Sequence, residues 1–375
     1  MGGRLRKLII FVLVVAVLGT LAYRSRDAIN LKGFSWPDLA AAVRHANGWL
    51  LLLSLAAIYA CYAIRAVRWA RFSTYIGHPT FANIYRCTLI GFAAIFLLGR
   101  AGEPVRPLLI ARKDHLPVSA TFGIYILERI FDMAAAAVLA GYSLLVFPDL
   151  LARGGSESGM ALVRTAGMGM IGGLAVAVSF LIYFRLHGAG ALARRLEGWR
   201  SGPAHADWRH RAAGLFAGFS EGLQAIRTMA DLGVALGTSV AHWLLVIAVY
   251  YWVAQSFGGK LATLDLSSVV LVLAFTMVGS TLQLPAVGGG TQAATFFALS
   301  YVFGIEAGPA AAASIVLWLI TFAGSCLAGV PLLIQEGWSL GELRRMARAE
   351  VEAEAAGTHI SVEDEPSGRP GEVEK

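Results

Sequence analysis

The sequence predicts an all-α integral membrane protein with several membrane-spanning helices. Of its 375 residues, 57% are hydrophobic and only 15% are charged, and the mean hydropathy is +0.64. A soluble domain has about 45–50% apolar and about 25% charged residues. The apolar residues also gather into runs that are long enough to cross about 30 Å of hydrocarbon as helices. This composition excludes a soluble globular protein.

The apolar runs fall into long and short ones. The long runs are predicted to enter the membrane as helices, and they are residues 8–23, 49–64, 117–147, 161–184, 232–257, 266–284 and 309–334. Two shorter runs, 87–99 and 293–303, are too short to span, and we interpret them as half-helices. The first run follows basic residues. We interpret it as an uncleaved helix rather than a signal peptide because many further spans follow.

Two interruptions rich in glycine and proline break this pattern, at 99–107 (GRAGEPVRP) and at 284–290 (LPAVGGG). Non-helical backbone is tolerated at membrane depth only where protein or a wet cavity satisfies it. If each interruption turns a hairpin back to its own side, the basic loops keep a consistent orientation. We therefore expect about six full transmembrane helices plus two broken or re-entrant hairpins that enter from opposite sides.

Paired interruptions in two halves of a chain are typical of an inverted-repeat transporter, in which the substrate site lies between the breaks. The alternative interpretation is a bundle of eight ordinary spans, two of which are kinked. The chain is divided into a polytopic membrane domain, 1–335, and a tail, 336–375. The tail is acidic and poor in apolar residues, so it is expected to be disordered.

Basic segments set the predicted orientation, because Lys and Arg near span ends favour the cytoplasmic side. Arginines are frequent in the segment 185–211. The predicted loop after the second span has Arg65, Arg68, Arg71 and Arg86, and the segment after the last span has Arg344, Arg345 and Arg348. Both termini are therefore expected in the cytoplasm of a bacterial-type cell, with the chain in its inner membrane. The basic loop 24–47 does not follow this rule. A short amphipathic helix is expected at about 212–229.

The first candidate site lies at the first interruption. Pro104 allows one helix to end and another to begin, and a helix that begins there directs free N–H groups at whatever precedes it. Arg100 and Arg106 lie three residues on either side of Glu103, next to Gly102. This arrangement suits the binding of a phosphate headgroup. The alternative is a basic loop that binds the bilayer surface.

The second candidate site lies inside the run 117–147, where Glu128 is about 15 Å deep at 1.5 Å per residue. A lone charge there costs about 2.5–3.5 kcal/mol on insertion scales. Glu128 and Asp132 share one helix face, and Arg129 is spaced to pair with Asp132. We interpret this cluster as a site that faces a cavity and binds an anionic headgroup through Arg129. The alternative is a buried salt-bridge network that fixes helix packing.

The third candidate site is the glycine-rich interruption. Consecutive glycines let the backbone approach a ligand or another helix, and Thr291 is predicted to cap the helix that follows. The N-terminus of that helix offers a second anion-binding end. A tight turn needs the same residue types and is the structural alternative. The candidate residues are Pro285, Gly288, Gly289, Gly290 and Gln292.

Other classes of function find little support in the sequence. The net charge is +7, but the basic residues lie at the ends of apolar runs, so no nucleic-acid partner is expected. The cysteines and histidines have no metal-ligand spacing, and we expect no metal and no cofactor. His242 and Trp243 are interpreted as packing residues. A Ser/His/Asp grouping and a P-loop are both missing.

Two motifs carry a family resemblance. Residues 100–106 (RAGEPVR) and 128–132 (ERIFD) resemble the R-x-G-E-x-x-R and E-R-x-x-D signatures of the lysylphosphatidylglycerol synthase transmembrane family, also called the flippase-like membrane family. Residues 284–292 and 303–305 resemble more loosely its Pro/Gly-rich break and the turn before its last span. The resemblance covers about 8–334.

The resemblance implies lipid handling, in which a membrane domain moves a modified phospholipid or a lipid-linked intermediate between leaflets. In the full synthases a separate cytosolic domain aminoacylates the lipid. The chain ends before such a domain, so we expect no synthase activity. Many members have an acidic residue after the glycine break, whereas Gln292 or Ala294 stands there in this chain. No carboxylate role is therefore expected at the second break.

Three hypotheses follow. The first is a lipid translocase that binds an anionic phospholipid or lipid-linked intermediate between the breaks, through Arg100, Arg106 and Arg129. The second is an intramembrane transferase that acts on a lipid carrier, which needs a nucleophile or a metal site. The third is a non-catalytic membrane scaffold.

Overall fold

The structure is a computed structural model that describes residues 36–146 and 225–337, except 285 and 287, and a few single residues between the two ranges. The regular secondary structure of the described residues is helical apart from one short antiparallel ladder. Several predictions lie wholly or mostly outside the described residues: the span at 8–23, the span at 161–184, the loop 185–231 with its amphipathic helix, and the tail 336–375.

We number the elements in chain order. The helices are α1 (Trp36–His45), α2 (Gly48–Ser73), α3 (Phe81–Leu98), α4 (Val105–Lys113), α5 (Val118–Val146), α6 (Met229–Phe257), α7 (Leu266–Gly279), α8 (Gly290–Phe297), α9 (Ala307–Trp318) and α10 (Gly324–Gln335). The strands β1 (Gln283–Leu284) and β2 (Gly288–Gly289) form the ladder. Short 3₁₀ turns follow α3 and α6, and π-helical turns follow α8 and α9.

Within the described residues, four helical segments are long and apolar enough to cross a membrane: Gly48–Ser73, Phe81–Gly102, Met229–Phe257 and Ala307–Gln335. The predicted helices at 49–64, 232–257 and 309–334 are thereby confirmed. Helix α5 is as long as these, with 29 residues. Its apolar pattern is interrupted by the charged residues Glu128, Arg129 and Asp132.

Three boundaries differ from the sequence prediction. Helix α2 continues past 64 to Ser73, so the predicted loop that begins at Arg65 is wrong. The run 87–99, predicted to be too short to span, belongs to the 22-residue segment Phe81–Gly102. The first turns of this segment contain polar residues, so its apolar run in the sequence is shorter than the helix. The Thr80 hydroxyl caps the helix by accepting the Asn83 N–H. The run 266–284, the expected first arm of the second hairpin, is shorter as a helix than predicted, because α7 ends at Gly279 after 14 residues.

The first interruption turns the chain back on itself. Helix α4 runs antiparallel to α3, since the Asn83 Nδ2 donates to Asp114 Oδ1 at 2.8 Å and Gly91 lies against Arg106. At the tip, a Cβ on Gly102 would stand 2.3 Å from the Ala94 carbonyl oxygen. The two arms therefore form a closely packed helical hairpin, in which both open ends lie at the same side.

The second interruption also turns the chain back on itself. The Thr276 and Thr295 hydroxyls lie 2.6 Å apart across α7 and α8, and Gly279 packs against Gly290. The β1–β2 ladder pairs Gln283 with Gly289 and closes the tip of this second hairpin. Both hairpins thus double back, although their arms differ in length, so the inverted repeat stays a prediction.

The remaining helices hold the hairpins in place. Helix α2 lies antiparallel along α6, because the Asn47 N–H donates to the Ser256 carbonyl at 2.7 Å at one end, and Arg71 pairs with Asp231 at 2.7 Å at the other. The Tyr59 hydroxyl of α2 donates to the Gly324 carbonyl at 2.8 Å. This carbonyl follows a π-helical turn, where the regular helical bonding is interrupted. The result is a bundle in which α2 contacts both α6 and the last helices.

Candidate functional site

Glu128 is the centre of a buried charged cluster between α2, α4 and α5. Its Oε1 accepts hydrogen bonds from Arg65 Nη1 at 2.7 Å and from Arg68 Nη2 at 2.8 Å. Its Oε2 accepts from Trp69 Nε1 at 2.8 Å and from Arg106 Nη2. The Glu128 side chain is 0% exposed. Charge-assisted hydrogen bonds of this kind are the strong ones, so one carboxylate holds three helices together.

Asp132 extends the cluster one turn along α5. It lies 3.0 Å from Arg65 Nη1 and 3.8 Å from Arg129 Nη1. The predicted pairing of Arg129 with Asp132 is present. Helix α6 adds two groups: Ser239 accepts from Arg68 at 2.8 Å, and His242 Nε2 lies 3.2 Å from Arg65 Nη2. Since an arginine nitrogen only donates, His242 Nε2 is the acceptor in this contact and the imidazole is neutral.

Tyr125 connects the cluster to the tip of the first hairpin. Its hydroxyl donates to Glu103 Oε2, and Glu103 lies 4.0 Å from Arg100. The guanidinium groups of Arg106 and Arg129 lie 5.8 and 5.0 Å from the centroid of the Tyr125 ring, which is cation–π distance. The first and second candidate sites are therefore one continuous network, which the separate sequence motifs did not reveal.

The network changes from buried to accessible along its length. Arg68 and Arg106 are almost fully buried, whereas the side chains of Arg129 and Arg100 are 34% and 61% exposed. Trp69 and Phe92 cover Arg106, at 4.8 and 5.8 Å from their ring centroids. The tip of the first hairpin and the outer face of α5 are thus the sides on which the arginines are accessible.

The network has more positive than negative groups. Among the described residues, Arg65, Arg68, Arg106 and Arg129 face the two carboxylates of Glu128 and Asp132. Charges in a low-dielectric interior are costly unless they are paired. The buried atoms Arg106 Nη1 and Arg129 Nε have no hydrogen-bond partner within the described part of the chain. The arrangement can therefore accept additional negative charge.

The third candidate site lies next to the first hairpin tip but has its own set of contacts. The Ala286 N–H donates to the Phe96 carbonyl at 2.7 Å, which brings the two breaks together. Gln292 Oε1 accepts the Gly289 N–H at 2.7 Å and the Thr291 hydroxyl at 2.9 Å. Gln292 rather than Thr291 therefore caps α8, and the predicted role of Thr291 is wrong.

The remaining glycines of this break serve close packing. A Cβ on Gly288 would stand 2.5 Å from Trp318 Nε1, and one on Gly290 would stand 2.2 Å from the Gly279 carbonyl oxygen. Gly288 and Gly289, the two residues of β2, both have positive φ, 79° and 97°, which glycine adopts without a steric cost. These contacts support the turn interpretation of the glycines. Pro285 lies outside the described residues.

Sequence reasoning missed several residues of the network. Arg65 and Arg68 were assigned to a loop, and His242 was assigned to packing. A signal for the two arginines was available, because Arg65, Arg68 and Trp69 have the i, i+3, i+4 spacing of one helix face. The contact of His242 with Arg65 spans 177 residues of sequence, and no local pattern predicts it.

These observations define a multi-pass α-helical membrane protein with a charged cluster buried among its helices. The chain belongs to the lysylphosphatidylglycerol synthase TM region family, whose model matches residues 6–329. The resemblance found in the two charged motifs is thereby confirmed. Membership links the protein to lipid metabolism or transport in membranes. Comparison with curated proteins finds no match, and neither does comparison with solved structures.

Proposed function

We propose that the protein is a non-enzymatic, flippase-like lipid translocase that binds the headgroup of an anionic phospholipid or lipid-linked intermediate. Arg100, Arg106 and Arg129 bind the phosphate, and the second hairpin tip contacts the end of α3 that precedes Arg100. The observation that supports this most strongly is the positive excess of the buried network, in which four arginines face two carboxylates. A phosphate is the complementary ligand, because arginine binds it with paired, charge-assisted hydrogen bonds.

The carboxylates have a positioning role in this proposal. Glu128 and Asp132 hold Arg65, Arg68 and Arg106 in place through contacts of 3.5 Å or less. Glu103 holds Arg100 and the Tyr125 hydroxyl at the hairpin tip. Ionisable residues within membrane segments usually face a pathway or each other. Movement of the headgroup past the hairpin tips then requires these ion pairs to rearrange.

The test is leaflet exchange of a fluorescent anionic phospholipid in proteoliposomes, compared with exchange of a zwitterionic one. Arg129→Ala and Arg100→Ala remove the two accessible arginines and leave the buried contacts of Glu128 intact. We expect each to slow exchange at least about tenfold, because a hydrogen bond between charged groups contributes about 1.5–3 kcal/mol.

The matched control is Arg86→Ala, which removes an exposed arginine of α3 outside the network. It should exchange lipid like the native protein. Equal exchange by all variants, or no exchange of any anionic phospholipid by native protein with a native thermal unfolding profile, contradicts the proposal.

A further inference from the structure

The charge of the whole network suggests how much negative charge its ligand has. When the hairpin tip is included, the described network has five arginines and three carboxylates: Arg65, Arg68, Arg100, Arg106, Arg129, Glu103, Glu128 and Asp132. The network therefore has two more positive than negative groups. The same excess holds without the hairpin tip, where four arginines face two carboxylates. The contact with Arg65 keeps His242 neutral, so it does not change this balance.

Two arginines of the network have unused donors. Arg106 Nη1 and Arg129 Nε are buried and have no partner within the described residues. Arg106 itself is only 3% exposed, so water does not readily replace a missing partner. Both guanidinium groups lie over the one ring of Tyr125. The Tyr125 ring is therefore a neighbour that the two arginines share.

We infer that the ligand of this site is a lipid monophosphate, with a terminal phosphate that carries two negative charges, rather than a phosphodiester lipid with one. This inference rests on the proposed function and names the substrate class of the same site. A terminal phosphate has three acceptor oxygens and up to two charges near neutral pH. A phosphodiester has one charge, which would leave one positive charge of the network uncompensated.

The location of the network favours a lipid over free phosphate. The arginines lie on α2, α4 and α5, and α2 is one of the helices long and apolar enough to span a membrane. Exposed apolar side chains lie on the outer faces of α2 and α5, among them Leu52, Val67 and Val138. A ligand that approaches along these faces needs acyl chains, whereas inorganic phosphate is repelled by such surroundings.

The experiment compares two lipids that differ by one methyl ester. Dioctanoyl phosphatidic acid and dioctanoyl phosphatidylmethanol are titrated at pH 8 into the purified full-length chain in detergent, and their dissociation constants are measured by calorimetry. We expect phosphatidic acid to bind at least about tenfold more tightly. In Arg129→Gln the positive excess falls to one, so this preference should shrink to about threefold or less. The control Arg86→Gln should keep it.

The outcomes separate this inference from the proposed function. Equal binding of the two lipids, with leaflet exchange of phosphatidylglycerol intact, overturns the inference and leaves translocation standing. A preference for phosphatidic acid without leaflet exchange of any lipid supports the inference and contradicts translocation. Inorganic phosphate is titrated as well. If it binds and phosphatidic acid does not, the ligand is not a lipid and the inference is wrong.

Discussion

The backbone N–H of Ala286 donates a hydrogen bond to the carbonyl oxygen of Phe96 at 2.7 Å. Ala286 lies in the second hairpin tip, and Phe96 lies in the last turn of α3, just before the first tip. A carbonyl near the end of a helix has no intrahelical partner, so this bond satisfies it from the other half of the chain. Two breaks that are nearly 200 residues apart in the sequence are thereby in direct contact, four residues before Arg100.

Neutralising Glu128 should strongly destabilise the protein. In Glu128→Gln, three buried arginines lose their shared carboxylate, and an uncompensated buried charge costs about 3–5 kcal/mol. We expect a loss of this size in the free energy of unfolding, measured by denaturation in detergent micelles. The control is Glu306→Gln, at an exposed position, which should change it by less than about 0.5 kcal/mol. Similar effects of the two substitutions would contradict the central role of Glu128.

Trp69 should stabilise the cluster through its indole N–H. Trp69→Phe keeps an aromatic ring over Arg106 but removes the 2.8 Å hydrogen bond to Glu128. Bonds to charged groups contribute about 1.5–3 kcal/mol, so the free energy of unfolding should fall by about that amount. Trp49→Phe is the matched control, since Trp49 is 71% exposed on the same helix. A change no larger than that of the control would show that the indole N–H contributes nothing.

Gly102 should be intolerant of a side chain. A Cβ there would stand 2.3 Å from the Ala94 carbonyl oxygen, whereas a Cβ on Gly141 meets nothing within 4 Å. Gly102→Ala should therefore lower the thermal unfolding midpoint, by a cost of about 1–3 kcal/mol. Gly141→Ala, inside α5, should be neutral or stabilising by up to about 1 kcal/mol. Equal midpoints in the two variants would rule out close packing of the hairpin arms.

Gln292 should tolerate glutamate better than alanine. Glutamate keeps an oxygen for the Gly289 N–H and places negative charge at the N-terminus of α8, where the helix dipole favours it. We expect Gln292→Glu to have native stability or slightly more. Gln292→Ala should lower the free energy of unfolding by about 1 kcal/mol, the typical loss when a capping side chain is replaced by alanine. The thermal unfolding midpoint of each variant checks this, and a larger loss for glutamate would contradict the capping role.

Asp265 should make stability depend on acidic pH. It caps α7 by accepting the Ser268 N–H at 2.9 Å, and this hydrogen bonding to Ser268 lowers the pKa of the Asp265 carboxyl. Because the pKa in the folded state is below that in the unfolded state, the stabilisation is complete above the ordinary value of about 3.9 and is lost as pH falls below it. Asp265→Asn keeps a cap that does not titrate.

The measurement is the difference in unfolding midpoint between native protein and Asp265→Asn from pH 3 to pH 7. The advantage of the native protein should shrink toward the acidic end. A difference that does not vary with pH would show that the carboxylate has the same pKa in both states.

Local features of the chain determined the membrane class, most helices and both breaks. Apolar runs and the glycines and prolines at 99–107 and 284–290 act within one or two helical turns, so their effects can be read from neighbouring residues. The same local reading predicted the pairing of Arg129 with Asp132, which are three residues apart. The local reading misplaced the end of α2 at Ser73 and the start of α3 at Phe81, because both helices extend through polar turns.

Only the tertiary structure decided which charges pair. Arg65 and Arg68 reach Glu128 across 63 and 60 residues of sequence, and Arg106 reaches it from the return arm of a hairpin. A buried charge must find a partner somewhere in the fold, but its own segment does not specify which one. The sequence thus determined that Glu128 needs positive partners inside the membrane domain. The packing of α2, α4 and α6 around α5 decided that several arginines share it, and this leaves the positive excess on which the proposed lipid site depends.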